Sequence, residues 1–184
     1  HELGHNFGNN HARFLQCGID PIDSLNCTTS EYGDRYDAMG TGQGHFNAPH
    51  KRNLEWLNGS NIIEATVNGQ YTIAPIEIIT NNPQAITLQR AQREDLWIEY
   101  RQPIGTDVGL SSQVFNGALF HTGSREDYPN LIDPTPPSSS SFAALEVGET
   151  FVDPLTGHSI TTISASPTEL VVNIELQPIE FNPP

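Results

Sequence analysis

The chain begins HELGHNFGNNH, and this stretch restricts the path of the backbone more than any other part of the sequence. His1 and His5 are four residues apart, so on an α-helix they share one face, one turn apart. A helix that continued straight would carry His11 away from that face. Gly8 has no Cβ and can adopt the left-handed conformation that ends a helix and reverses the chain. The pattern therefore predicts a short helix, a break at Gly8, and a return that brings a third imidazole beside the first two.

Three converging imidazoles predict a catalytic zinc site. Zinc in such a site takes three protein ligands and keeps a further position for water or substrate. The expected ligands are His1, His5 and His11, and the neighbouring Glu2 is the expected general base. The alternatives are a surface helix with incidental histidines and a structural zinc site. Structural zinc usually has four ligands, commonly cysteine, which does not match this set.

The complete pattern at residues 1–11 resembles the signature of the metzincin zinc peptidases. These enzymes have a turn built around a methionine below the metal, and Met39, the only methionine, lies in the similar stretch EYGDRYDAMGTG. Within the clan, HELGHNFGNNH and YGDRYDAMG are most similar to the gametolysin family of secreted metallopeptidases. The resemblance implies an endopeptidase that hydrolyses peptide bonds in extracellular proteins, with Gly8 and Met39 in structural roles at the site.

Two features depart from the family pattern. Some metzincins have a tyrosine two residues after the methionine, but Thr41 occupies that position here, so the role is not transferred. The chain also starts inside the zinc motif. The resemblance implies that an N-terminal half of the catalytic domain, which forms the upper rim of the cleft, precedes His1. The chain is therefore expected to be a fragment with little activity of its own.

The sequence predicts an α+β fold in two domains. Residues 1–61 are expected to be the C-terminal part of a metzincin catalytic domain, made of helices and long loops, with a second helix in APHKRNLEWLNG. From about residue 62 the hydrophobic period changes to 2, and residues 62–184 are expected to form an antiparallel β-sandwich-like domain. Asn68-Gly69 predicts a hairpin turn at its start. The residues expected on the buried face of its last strand are Leu170, Val172, Ile174 and Leu176.

A second metal site from His45 and His50 is a minor alternative, and His121 and His158 have no partners at ligand spacing. His45 is expected near the floor of the cleft, and His50 in solvent in the first turn of the second helix. His121 and His158 are expected at strand ends on the surface. The acidic segment SREDYPNLID (124–133) makes calcium a second candidate ion, although it lacks the alternating oxygen ligands of known calcium loops.

Cysteine content and charge restrict the compartment and the partners. Cys17 and Cys27 lie in one loop-like segment and can form a local disulfide in an oxidising compartment, and two free thiols are the alternative. The net charge of -14, with 8 Lys and Arg residues, argues against nucleic acid and an anionic membrane as partners. The expected partner is a protein or peptide substrate, and the expected location is extracellular.

A second class of function remains open. In this alternative, the β-rich region is a binding or adhesion module attached to an inactive protease remnant. A decayed enzyme usually loses its general base or a metal ligand first, and this chain keeps Glu2 and all three histidines. The sequence therefore favours the enzyme.

Overall fold

The computed structural model describes residues 1–22, 27–90, 93–123, 128–136 and 144–178, which form a β-rich fold of two packed sheets. The first sheet contains β1 (Arg13–Gln16), β2 (Thr28–Ser30), β3 (Ile62–Glu64), β5 (Ala85–Arg90), β6 (Arg93–Tyr100), β7 (Gly117–Thr122), β8 (Asn130–Ile132) and β9 (Leu145–Glu146). The second sheet contains β4 (Gly69–Ile73), β10 (Thr150–Val152), β11 (Ser159–Ala165) and β12 (Leu170–Glu175). The helices are α1 (Glu2–Asn6), α2 (Ala48–Asn53) and the 3-10 segments Gly59–Asn61, Gly105–Gly109 and Ser112–Asn116.

The first sheet is mixed. Its strand order is β2-β1-β8-β7-β6-β5-β3, and β9 pairs with β7. Strands β5 to β8 pair antiparallel, with Ile98 opposite both Ile86 and Phe120. The pairs β1–β8 and β3–β5 are parallel. Strand β1, which follows the first helix in sequence, thus pairs with a strand from the second half of the chain.

The second sheet is antiparallel, in the order β10-β11-β12-β4, and covers one face of the first. In β12, Leu170, Val172 and Ile174 are fully buried, while Leu176 beyond the strand is half-buried against the same core. The period of 2 predicted for this strand is therefore confirmed. The main core lies between the sheets, and it includes Ile86, Leu88, Leu96, Ile98, Phe120, Phe151 and Ile160. Full burial of one such side chain contributes about 1.5–3 kcal/mol.

The predicted α+β fold class is wrong. The described residues contain twelve strands in two sheets and only two short α-helices, and residues 1–61 contribute β1 and β2 to the first sheet, so the chain is a β-rich fold. The β region is not purely antiparallel either. Strands β1 and β2 are too short to show a period of 2, and β1 is stabilised by pairing with β8, far away in sequence. Long-range pairing of this kind overrides local pattern.

The predicted hairpin at Asn68-Gly69 is also wrong. Strand β3 pairs parallel with β5 in the first sheet, whereas β4 pairs with β12 in the second. Asn68 and Gly69 therefore lie where the chain crosses from one sheet to the other. The Asn68 side chain accepts a hydrogen bond from the backbone N–H of Leu176 (2.8 Å), which fixes this crossing against the end of β12.

The second predicted helix exists but is shorter than the segment APHKRNLEWLNG. Asn47 caps it by accepting a hydrogen bond from the backbone N–H of His50 (3.0 Å), and Pro49 lies in the first turn. Soon after α2 ends, Glu55 has φ 60°, a left-handed conformation that a helix cannot accommodate. Leu57 beyond this break is buried.

The predicted domain boundary between residues 61 and 62 stays a prediction. Strands from both sides of it belong to the first sheet. In the part of the chain that the structure describes, no helix has the length and apolar character needed to span a bilayer.

Candidate metal centre

The imidazoles of His1, His5 and His11 lie together at the end of the fold that carries α1. The ring centroids are 4.9 Å apart for His1 and His5, 4.9 Å for His5 and His11, and 5.6 Å for His1 and His11. One ring nitrogen from each histidine lies within 4.8 Å of those of the other two. Gly8 has φ 89°, and this left-handed residue turns the chain so that His11 returns to the helix. The structure therefore brings the three predicted ligands together.

The Nδ1 nitrogen of each of these three rings lies within hydrogen-bond distance of an oxygen atom. The Nδ1 atom of His1 is 2.9 Å from the carbonyl oxygen of Ala38, and that of His5 is 2.9 Å from the carbonyl oxygen of Asn9. The Nδ1 atom of His11 is 3.0 Å from Oε1 of Glu31. Carbonyl oxygens and an ionised carboxylate only accept hydrogen bonds, so neutral rings must carry their proton on Nδ1. This tautomer leaves the lone pair of each Nε2 for a metal ion, the arrangement found in protein zinc sites.

Met39 forms the floor below the histidines. Its side chain is fully buried and packs so closely against α1 that a Cβ on Gly4 would overlap its sulfur. The backbone of the same turn holds two of the ligand residues. The N–H of Ala12 donates to the Met39 carbonyl (3.0 Å), next to His11, and the ring of His1 donates to the preceding carbonyl. The turn thus fixes the first and third histidines relative to each other.

Glu2 lies in the first turn of α1, next to His1, and is exposed. The helix also exposes Leu3 and Phe7, whose exposed fractions are 64% and 61%. Leu3 and Phe7 are four residues apart on one face of α1, so this face is open to another molecule.

Aromatic rings surround His11. The Tyr32 ring centroid is 4.0 Å from that of His11 and 5.9 Å from that of His1. Tyr128 is 6.4 Å from His11 by the same measure, and the guanidinium of Arg13 lies 3.6 Å above the Tyr128 ring. The ring of His11, the third predicted ligand, is therefore packed from the side by aromatic rings.

A buried ionic network lies behind the Met39 turn, and we define it as Asp34, Asp37, His50, Glu99, Arg101, Asp107 and His121. Asp37 accepts from the ring of His50 (3.0 Å) and from the backbone N–H of Met39 (2.5 Å). Burial acts to raise the pKa of Asp37, but the His50 ring and these hydrogen bonds outweigh it and lower the pKa. The network therefore supports the turn that carries Met39.

Arg101 is the centre of this network. Its Nε donates to Glu99 (2.7 Å), and its Nη1 donates to Asp107 (2.8 Å). Nη1 also lies 3.3 Å and 3.1 Å from the carbonyl oxygens of Tyr36 and His45, on either side of Met39. Burial acts to lower the pKa of Arg101, but the carboxylates of Glu99 and Asp107 raise it well above its ordinary value. One side chain at the end of β6 thus ties both ends of the methionine turn to the sheet.

The surface positions predicted for His50, His121 and His158 are wrong. His50 and His121 are buried, and Nε2 of His121 is 3.0 Å from Oδ2 of Asp34. Burial acts to lower the pKa of His121, but Glu99 and Asp34 raise it. His158 is also buried and accepts from the backbone N–H of Gln177 (3.0 Å). The carboxylates that bind His50 and His121 belong to other segments of the chain, so the sequence around each histidine does not reveal its partner.

A groove of about 500 Å³ lies beside α2. Trp56, Ile79, Lys51 and Glu77 are among its lining residues, and Lys51 donates to the carbonyl of Ile76. Burial lowers the pKa of Lys51 to about 8. Burial, followed by a hydrogen bond with Asp107, raises the pKa of Glu77 to about 8, so Glu77 is largely protonated at neutral pH.

The predicted disulfide is confirmed, since Cys17 and Cys27 are bonded. The bond closes the far end of the β1–β2 pair. Calcium stays a prediction: residues 124–127 of the acidic segment lie outside the described residues. Asp133 is buried, and its carboxylate accepts from the backbone N–H of Thr135 (3.0 Å).

No protein-family model matches the chain, and neither a curated protein nor a solved structure matches it significantly. The resemblance to metzincins therefore stays a prediction that depends on residues 1–11 and 31–40.

Sequence reasoning did not find Glu31, Tyr32 or the ionic network. Glu31 and Tyr32 precede Met39 in the same Gly- and Asp-rich stretch, but nothing in that pattern indicates which side chains turn toward His11. The one available signal was the density of carboxylates in DRYDAMG, because acidic residues within a turn need donors when they are buried.

Proposed function

We propose that the chain carries the metal centre of a zinc-dependent endopeptidase. The observation that supports this most is that the Nδ1 atoms of all three histidines are paired with hydrogen-bond acceptors. One nitrogen from each ring also converges on the same space. Incidental surface histidines have no reason to share this pairing and one point of convergence. Function depends on such a site rather than on the fold around it, so a β-rich architecture is compatible with peptide hydrolysis.

The donor set fits zinc. Three neutral imidazoles at one point match the ligand number of catalytic zinc, and they leave the charge of the ion uncompensated. His1 and His5 are exposed and His11 is half-buried, so the centre is accessible from solvent. An accessible centre with three ligands is suited to a substrate, whereas structural zinc is usually closed by a fourth ligand.

The proposed roles follow from the motif at residues 1–11 and from the convergence of the three imidazoles. Zinc, when bound, would supply the Lewis acidity that activates water and polarises a peptide carbonyl. Glu2 takes the proton of the attacking water and returns it to the leaving amine nitrogen. His1, His5 and His11 hold the ion and undergo no proton transfer. Met39 has no chemical step and supports α1 from below.

The proposed substrates are proteins or peptides outside the cell. The Cys17–Cys27 disulfide is compatible with an oxidising compartment, and the gametolysin-like motif implies secretion. The charge of -14 gives no support for nucleic acid or an anionic membrane as a partner.

The test compares zinc content with peptide hydrolysis in four proteins. Wild type should bind one zinc ion per chain, and His5→Ala should lose it. Glu2→Gln should keep the ion but lose hydrolysis by a factor of about 10²–10⁴, because only the base is removed. Glu175→Gln is the matched control, since Glu175 is exposed on the second sheet and its substitution makes the same change in charge.

Two outcomes would overturn the proposal. Zinc content that does not depend on His5 would mean that the ion binds elsewhere. Hydrolysis that persists in Glu2→Gln, or in the presence of a chelator, would exclude this mechanism. Stoichiometric zinc without hydrolysis would favour the binding or adhesion module.

A further inference from the structure

We propose that Glu31 and Tyr32 are positioning residues for the third metal ligand, and that they set both the tautomer and the ring orientation of His11. This inference depends on the proposed zinc centre. It adds a reason why His11, the ligand that does not belong to the helix, is ready to bind the ion.

The three ligands differ in how they are held. His1 and His5 lie at the start and near the end of α1, and their Nδ1 atoms bond to backbone carbonyls. His11 lies after the break at Gly8, where no helix determines its direction. Its Nδ1 bonds to a side chain instead, the carboxylate of Glu31 at 3.0 Å. Among the residues that the structure describes, His11 is the one of the three predicted ligands with a charged partner.

The face of the His11 ring is also covered. The Tyr32 ring lies 4.0 Å away, centroid to centroid, with an interplanar angle of 39°. The carboxylate thus restrains the ring at its edge and the phenol restrains it at its face. A ring restrained in two directions loses little further freedom when it binds an ion.

The backbone around Glu31 and Tyr32 is itself anchored to the floor of the site. The N–H of Thr41, two residues after Met39, donates to the carbonyl of Tyr32 (3.0 Å). The N–H of Gly33 donates to the carbonyl of Ser30 at the end of β2 (3.1 Å). Glu31 and Tyr32 are therefore anchored to the methionine turn. They directly follow β2, and β2 pairs with β1, the strand that follows His11 in sequence.

A carboxylate behind a ligand histidine has a known effect. It fixes the ring in the Nδ1–H tautomer and increases the basicity of Nε2, and losing such a partner typically lowers metal affinity about 10–100-fold. Glu31 is 58% exposed, so its contact with His11 adds little to fold stability. The effect of Glu31 should therefore be seen in metal affinity and not in the folding of the chain.

The experiment measures zinc affinity by competition with a chromophoric chelator in the 184-residue chain. Glu31→Ala should weaken binding about 10–100-fold, and Glu31→Gln should weaken it less, because glutamine can still accept the hydrogen bond without the charge. Tyr32→Ala should also weaken binding, whereas Tyr32→Phe, which keeps the ring, should bind like wild type. Glu64→Gln is the control, since Glu64 is an exposed carboxylate bonded to Gln89 (3.2 Å) on β3, at the opposite edge of the same sheet.

A second measurement identifies positioning directly. Nitrogen-15 correlation spectra of the imidazoles in the metal-free chain should show His11 as the Nδ1–H tautomer in wild type and in Glu64→Gln. In Glu31→Ala the Nε2–H form should appear, since that tautomer dominates in an unrestrained imidazole. An unchanged tautomer, or equal zinc affinity in Glu31→Ala and wild type, would overturn the inference.

Failure of the inference can be distinguished from failure of the proposed function. If wild type binds zinc through His5 but Glu31→Ala binds equally well, only the role of Glu31 is wrong. If wild type and His5→Ala bind zinc equally, the metal centre itself is wrong, and the role of Glu31 is overturned with it.

Discussion

Two groups of histidines in this chain have opposite surroundings. His1, His5 and His11 are exposed or half-buried, and two of the three use backbone carbonyls to orient their rings. His50 and His121 are buried and bond to the carboxylates of Asp37 and Asp34. The rings of the first group are accessible from solvent, whereas those of the second group donate hydrogen bonds to carboxylates inside the protein.

The exposed histidines should matter for the proposed function, whereas the buried histidines should matter for the stability of the fold. An exposed ring that is held by a carbonyl contributes little to folding, but its orientation matters for the proposed metal site. A buried ring beside a carboxylate cannot be removed without leaving that charge unpaired. Substitutions in the two groups should therefore affect different measurements.

The largest loss of stability is expected from the centre of the buried ionic network. Arg101→Met removes the partner of Glu99 and Asp107 and should lower the free energy of unfolding by about 3–5 kcal/mol. It should also loosen the methionine turn, whose carbonyls at Tyr36 and His45 lose their donor. Urea denaturation in the presence of a chelator measures the effect.

The control for Arg101 is Arg52→Met, which removes a half-buried cation from α2 and should stay within about 1 kcal/mol of wild type. Equal stability of Arg101→Met and wild type would mean that the network is not a structural support.

A smaller loss is expected from one buried histidine. His121→Ala removes a donor to Asp34 and leaves that carboxylate without one of its partners inside the protein. The free energy of unfolding should fall by about 2–3 kcal/mol, measured in the same denaturation experiment. If folded His121→Ala is still saturated with zinc, the two groups of histidines are independent. A stability equal to that of wild type would contradict the structural role assigned to His121.

The parts that sequence alone could predict are those with local causes. The helix, the break at Gly8 and the return of His11 follow from spacing within eleven residues, and the period of 2 in β12 follows from one strand. The disulfide follows from two nearby cysteines. Each of these depends on contacts between residues close in sequence, or on one face of one element.

The parts that sequence alone could not predict depend on distant partners. Strand β1 exists because β8 pairs with it, and Asn68-Gly69 joins two sheets because β3 and β4 find different neighbours. The buried positions of His50 and His121 depend on carboxylates that the fold brings to them. The local sequence around a hairpin turn resembles that around a crossing between sheets, and a surface histidine has no local feature that distinguishes it from a buried one. The position of Asn68-Gly69 and the burial of His50 and His121 are therefore determined by topology.

The next prediction concerns how the stability contributed by Glu77, which lines the groove beside α2, depends on pH. The pKa of Glu77 is raised from 4.5 to about 8, mainly by burial and then by its hydrogen bond with Asp107. The folded state therefore holds a proton that the unfolded state releases near pH 4.5. Glu77 contributes stability that is fully present below about pH 4.5 and is lost as the pH rises to about 8.

Glu77→Gln tests this sign, because glutamine resembles the protonated carboxyl group and does not titrate. Wild type and variant should have similar stability near pH 5. The difference between their free energies of unfolding should then move in favour of the variant up to about pH 8. Parallel stability curves across this window would show that Glu77 is ionised in the folded chain.

The smallest change in the stability of the metal-free chain is expected from His5→Ala. The ring is exposed, and water can replace its hydrogen bond to the Asn9 carbonyl, so the free energy of unfolding should change by less than about 1 kcal/mol in chelator. Zinc at about 100 times its dissociation constant should stabilise wild type by about 2.7 kcal/mol and should not stabilise the variant. Thermal unfolding with zinc and with chelator measures both quantities. A large loss in chelator would place His5 with the buried histidines, whereas equal stabilisation of variant and wild type by zinc would show that His5 does not hold the ion.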